Sequence, residues 1–212
     1  GVILNNDNKV KWAIAHNPNQ IKSATNNTGT FNPENDDIRY SKRELLAPNG
    51  KPSNLTPEQY AQVRTKEFKA WFGDWENDPD NASKVVDENG EPKVMYHGSP
   101  SEAFTTFDIN QPIRNGRGEG VGFYFIDDKA VAQDYATKRG QIYEAFLSLK
   151  KPFAGFDSLS QEDKKIYLAT TNDEEAYDKL GIDGFVIGNQ HIVRKPNQIK
   201  SATNNTGTFD PN

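Results

Sequence analysis

The chain predicts an α+β fold in which short, mostly antiparallel strands alternate with helices inserted between them. Three observations carry this. Short runs of β-branched and aromatic residues are bounded by Gly, Pro, Asn and Asp, the pattern of strands and turns. Helical periodicity is confined to a few segments with capping signals. Hydrophobic residues make up only 34% of the 212, so the core is compact and the loops are long.

The elements follow in order. Residues 41–54, with Ala47-Pro48-Asn49-Gly50 and Lys51-Pro52, read as a linker. Thr56 then caps a helix, with Pro57 at its first position and Gln59 completing a capping box. Tyr60, Val63, Phe68, Trp71, Phe72 and Trp75 recur near the helical period, and Gly73 breaks it before Trp75. These aromatics read as core, not as a ligand cage. Lys84-Val85-Val86 and Lys93-Val94-Met95-Tyr96 flank an Asn89-Gly90 turn as a hairpin. The second of these strands ends in the polar turn His97-Gly98-Ser99. Phe123 to Ile126 is the next strand, and it runs into a helix begun by Asp127/Asp128, with Val131 and Tyr135 on one face. Ile142 to Leu149 is a strand stopped by Lys151-Pro152. Ser160 caps a short helix, and Asp173 to Leu180 is another, stopped by Gly181. Gly184 to Ile187 and Gln190 to Val193 close as a hairpin around Gly188-Asn189.

Composition narrows the function. The formal net charge is −5 with no block of like charges, so neither nucleic acid nor an anionic membrane is the default partner. There is no cysteine, which excludes disulfides and thiolate chemistry and suits a reducing cytosol. No apolar run approaches the roughly 18 residues of a membrane span, and the first residues lack the charged lead of a signal peptide. No metal-ligand spacing, P-loop or Ser-His-Asp order occurs.

The second strong signal is a repeat. Pro18 to Phe31 and Pro196 to Phe209 both read PNQIKSATNNTGTF. Upstream the likeness is looser, with Gly1-Val2-Ile3-Leu4 against Gly184-Phe185-Val186-Ile187. Residues 1–40 are therefore expected to be the tail of a preceding unit or an N-terminal extension, and 55–212 a complete domain; the alternative is one domain that pairs its own two edge hairpins.

Tyr96-His97-Gly98-Ser99, then Gly122-Phe123-Tyr124-Phe125 with Tyr135 downstream, resembles ADP-ribosyltransferases of the diphtheria-toxin and poly(ADP-ribose) polymerase class, the H-Y-E branch. Asn189-Gln190-His191-Ile192-Val193 resembles that family's late Asn-Glu-Tyr-Ile-Val strand. The Glu67 to Trp75 block and the Pro-Asn-Gln-Ile-Lys-Ser-Ala-Thr ending resemble the transferase domains of phage and mobile-element polyvalent proteins. The resemblance implies two small, mostly antiparallel sheets around an NAD cleft with peripheral helices. It implies mono-ADP-ribosyl transfer from NAD to a macromolecular acceptor (a host protein, or else nucleic acid) in a bacterial cytosol, with no metal and no membrane partner.

The resemblance also assigns roles. His97 meets a ribose hydroxyl of NAD, and Gly98 offers its main chain to the carboxamide, beside Ser99. Tyr124 and Tyr135 sandwich the nicotinamide, a stacking worth about 1–3 kcal/mol per ring. Gln190 stands where the family has the carboxylate that faces the developing oxocarbenium charge. An amide supplies no such charge, a loss of about 10²–10³ in rate. Ala132 replaces a serine that binds the carboxamide. Read from the residues, Arg114 and Arg117, in the Gly-rich loop before Gly122, are candidates to meet the pyrophosphate or to gate the pocket; the alternative is a solvated loop. In the repeat, Trp12 falls at the Gln190 position. Two further readings follow from the missing carboxylate: a catalytically silent module that binds NAD or a partner, and a structural repeat of a large polyvalent protein.

Overall fold

The computed structural model describes residues 2–6, 9–24, 45–108, 122–137 and 140–203. They fall into two compact units, Gly1–Leu46 and Ala47–Asn212. In the first, β1 (Val2–Asn6) and β2 (Lys9–Ile14) pair antiparallel, with a register shift between Leu4 and Asn5. A single 3-10 turn, Pro18–Gln20, follows.

The second unit opens with two short helices where the sequence predicts one. In α1 (Pro57–Val63) the Thr56 hydroxyl accepts from Gln59 N and the Gln59 side chain accepts from Thr56 N, the expected capping box. The helix then stops, because Thr65 intervenes: its hydroxyl donates to Gln62 O and accepts from Phe68 N, so it caps α2 (Lys66–Phe72) afresh. The hydrophobic period runs on across the break, which hides it from a periodicity reading. Gly73, at φ +103, ends α2. Phe68, Trp71, Phe72 and Trp75 form a buried cluster with Phe146 and Val63, as a core reading requires. Phe68 stacks on Phe72 at 5.0 Å and meets Trp71, Trp75 and Phe146 edge-on.

The Asn89-Gly90 turn forms, with Gly90 at φ +82, but its flanks meet only in a single bridge, Val86 to Pro92. Pairing begins later, at β3 (Met95–Ser99). His97, Gly98 and Ser99 are thus strand residues, not a turn, because Tyr143, Ile142 and Gln141 of β5 (Gln141–Leu147) pair with them. Between these strands in sequence come β4 (Phe123–Ile126) and α3 (Lys129–Ala136), capped by Asp128 Oδ1 on Ala130 N and Val131 N. After β5 follow β6 (Pro152–Phe153), α4 (Gln161–Leu168), capped by Ser160, and α5 (Asp173–Leu180), ended by Gly181 at φ +66. β7 (Gly184–Ile187) and β8 (Gln190–Val193) make the expected hairpin, closed by Gly188 at φ +61. A 3-10 turn, Pro196–Gln198, leads to β9 (Ile199–Ser201).

In place of two sheets, the described residues of this unit form one seven-stranded sheet in the order β6-β7-β8-β4-β3-β5-β9, parallel among them only between β6 and β7. The expected division is nevertheless visible in the hydrogen-bond ladder. β4 pairs with β8 at four positions and β3 with β5 at five, but β3 and β4 share only Tyr96–Ile126. That single pair joins the halves into one sheet. The strand pleat sends successive side chains to opposite faces. One face carries Phe146, Gly98, Ile192 and Phe185 and packs against helices; the other carries Met95, Phe125, Leu147 and Val193 with Val85 and Phe107.

Candidate active site at the split in the sheet

β3 and β4 part just beyond Tyr96–Ile126. Had the ladder continued in register, His97 would oppose Phe125 and Gly98 would oppose Tyr124. Instead His97 spans the gap with its side chain, Nδ1 lying 2.7 Å from Tyr124 O. A carbonyl can only accept, so Nδ1 carries the proton and a neutral ring presents Nε2 as an acceptor. Burial holds the His97 pKa below the ordinary imidazole value, against the opposing pull of the Tyr124 carbonyl. The ring sits among Phe107 at 5.2 Å, Phe125 at 5.4 Å and Tyr143 at 6.2 Å.

Gly98 is placed by α3. A Cβ at this position would meet the main chain of Ala132 and Ala136, so only glycine lets the helix lie against the strand. The buried face of α3 is accordingly Ala132 and Ala136, while Tyr135 is 57% exposed beside it. Ser99 is buried, and its Oγ accepts from Ser101 N at 3.2 Å, turning the chain out of β3.

Tyr124 and Gln190 share the helix-covered face. Tyr124 pairs with Ile192 and Ile126 with Gln190, so Tyr124 and Gln190 are diagonal neighbours, a relation of roughly 7–8 Å. Tyr96, Ile126 and Gln190 make one cross-strand row. Tyr124 packs against the cluster of Ile192, Phe185 and Leu180. The geometry thus unites His97, Gly98, Tyr124 and Gln190 around the split, but the imidazole and the Tyr124 ring leave the sheet on opposite faces. Arg114 and Arg117 lie outside the described residues.

Two features escape a motif reading of the sequence. His191, beside Gln190, faces the other side of the sheet; its Nδ1 is buried without a hydrogen-bond partner, and burial depresses its pKa. Strand alternation from Gln190 is the signal that locates it. Across the helix face, beyond β8, a cavity of about 540 Å³ is lined by Phe153, Tyr177, Phe185, Asp173 and Glu174. It forms where β6 ends and leaves β7, a tertiary event without a local signature. Among the described residues, no group of three or more His, Cys, Asp or Glu is placed to hold a metal ion. Nor is any helix among them long and apolar enough to cross a membrane.

A family model described as ADP-ribosyltransferase in polyvalent proteins matches residues 87–209. No curated protein and no solved structure matches the chain.

Proposed function

We infer the function from one premise: the chain belongs to the ADP-ribosyltransferases of polyvalent proteins. NAD is the substrate that membership implies. The reaction is mono-ADP-ribosyl transfer to a macromolecular acceptor, with release of nicotinamide, by the H-Y-E arrangement. The acceptor is a host protein, and the setting is a bacterial cytosol reached from a phage or mobile element.

The observation that carries it is the split beside Gly98 and Tyr124. Beyond the one joining pair the β3–β4 ladder gives way to the His97–Tyr124 O bridge, and the gap beside Gly98 is where a planar carboxamide would meet the main chain. His97, neutral and donating through Nδ1, offers Nε2 to a ribose hydroxyl. Tyr124 supplies an aromatic face for nicotinamide, with Tyr135 closing over it from α3 and Ser99 and Arg117 completing the NAD contacts. Breaking the glycosidic bond develops positive charge on the ribose. Gln190, diagonal to Tyr124, orients that ribose by hydrogen bonds but leaves its charge uncompensated.

Nicotinamide release from NAD in the presence of a host lysate tests this for the parent chain, Gln190→Glu and Tyr124→Ala. Turnover in the parent that Tyr124→Ala abolishes supports the transferase. Silence in the parent with gain in Gln190→Glu favours the second reading, an NAD-binding module silenced at one side chain, and Gln190 is the observation behind it. Silence in all three, with no thermal stabilisation by NAD, removes both and leaves a structural repeat.

A further inference from the structure

We propose that the cavity beyond β8 reads the acceptor, and that its occupant is an arginine or lysine side chain of the protein to be modified; the acceptor role rests on the transferase reading above. The walls of this cavity are aromatic. Tyr177 meets Phe153 at 5.2 Å and Phe185 at 5.0 Å, one ring tilted and the other edge-on, and Phe153 lies 6.5 Å from Phe185. The rim is acidic, because Asp173 and Glu174 of α5 line the same space of about 540 Å³. Rings set beside carboxylates suit a cation carried on an apolar stem. The rings cover the stem and attract the charge through their faces, and the carboxylates neutralise it.

The charge of the rim is not cancelled within the fold. Asp173 accepts from the Tyr167 hydroxyl at 2.7 Å, and that hydrogen bond, with burial, holds the Tyr167 phenol above its ordinary pKa. The donor is therefore neutral and the carboxylate keeps its charge. Arg194 serves Glu174 and Asp178 together at 3.0 and 3.1 Å, one guanidinium for two carboxylates. Lys179, the lysine of α5, pairs with Glu175. The surrounding sequence agrees: residues 153–188 hold eight Asp and Glu against three Lys, which equals the net charge of −5 of the whole chain. An anion is the wrong occupant even beside a helix start, because the first turn of α5 is Asp173, Glu174 and Glu175. Position ties the cavity to the chemistry. Tyr124, Ile192 and Phe185 form one cross-strand row, and Ile126, Gln190 and Ile187 the next. Both rows end on β7 at a residue that lines the cavity, two strand spacings or about 10 Å from β4. About three extended residues of an acceptor span that distance. A cation bound in the cavity thus selects which neighbouring side chain reaches the ribose.

The test uses the full chain and reads binding before turnover. A dansyl-labelled Gly-Arg-Gly amide and its citrulline counterpart, which keeps the shape of arginine without the charge, are titrated by fluorescence anisotropy in the absence of NAD. The arginine peptide is expected to bind and the citrulline peptide to fail. Asp173→Asn combined with Glu174→Gln should weaken the arginine peptide about tenfold and leave thermal stabilisation by NAD unchanged. Ala154→Trp enters the cavity from an exposed position with every carboxylate kept. It should weaken the same peptide, which covers the case in which the charge change disturbs α5. Equal binding of the two peptides, or arginine binding that survives both variants, overturns the proposal. In a host lysate the sites modified by the parent should carry Arg or Lys within about three residues, a bias that the double variant loses; sites without that bias overturn the acceptor role. Without nicotinamide release the transferase reading falls and the acceptor role with it, while the titration still decides the cation site.

Discussion

The two flanks of β3 are built on opposite terms. Toward β5 it pairs at five consecutive positions, and the joint is backed by the aromatic cluster of Phe68, Phe72 and Phe146. Toward β4 it pairs once, and a histidine side chain does what a peptide group does elsewhere. The closed flank is a continuous main-chain ladder; the open one is a single pair and a side-chain bridge. A sheet that must bind through its own backbone needs both, because a strand unpaired on two sides would not hold position.

This contrast predicts a separation of stability from activity. The largest effect belongs to the closed flank. Phe68→Ala empties a fully buried site and is expected to cost about 3–5 kcal/mol, read as a lower urea midpoint, with nicotinamide release per folded molecule unchanged. Loss of turnover without loss of stability in this variant would break the comparison. Next is Gly98→Ala. Its methyl meets the Ala132 and Ala136 main chain, so α3 must move, at about 1–3 kcal/mol, and NAD-dependent thermal stabilisation should vanish. A Gly98→Ala protein that still responds to NAD would dissociate the open flank from the ligand.

His97→Ala removes the bridge to Tyr124 O, worth about 1 kcal/mol, together with ring contacts to Phe107, Phe125 and Tyr143, while the response to NAD should fall well beyond that loss. The smallest effect is one of pH. His97 and His191 are both held below the ordinary histidine value, burial being the main cause. The unfolded chain therefore binds more protons than the folded one as pH drops below about 6.5. Stability is full above that pH and is lost as the solution is acidified toward the depressed folded values. Thermal melts between about pH 7.5 and 5 should show this fall, shallower in His191→Gln; a melting temperature flat across that range would mean the rings are solvated.

Legibility followed the locality of the cause. Helix α3 and the β7–β8 hairpin are where the sequence puts them because Asp128 and Gly188 act on their immediate neighbours. The break between α1 and α2 was local too, written in Thr65, but the aromatic period masked it. The strand character of His97 to Ser99 was not legible, since it comes from Gln141 to Tyr143 across the sheet. Nor was the number of sheets, which turns on the one pair Tyr96–Ile126. The candidate site residues were nameable from their motifs, and the sheet brings His97, Gly98, Tyr124 and Gln190 to the split. That the His97 and Tyr124 side chains diverge was implicit in alternation, because Phe125, the residue next to Tyr124, is the one that meets the imidazole.

The strand order also sets a timetable. β4 lies between β3 and β8, and its partner residues Gln190 to Val193 follow long after it in the chain. Pairings so distant in sequence pay loop-closure entropy before they return any contact, and they slow folding. On a ribosome, Phe123 and Phe125 emerge and wait through α3, α4 and α5 for the strand that shelters one edge of them. The split is thus among the last places to take shape, and a nascent chain halted before Gln190 has its histidine and both tyrosines but no finished cleft.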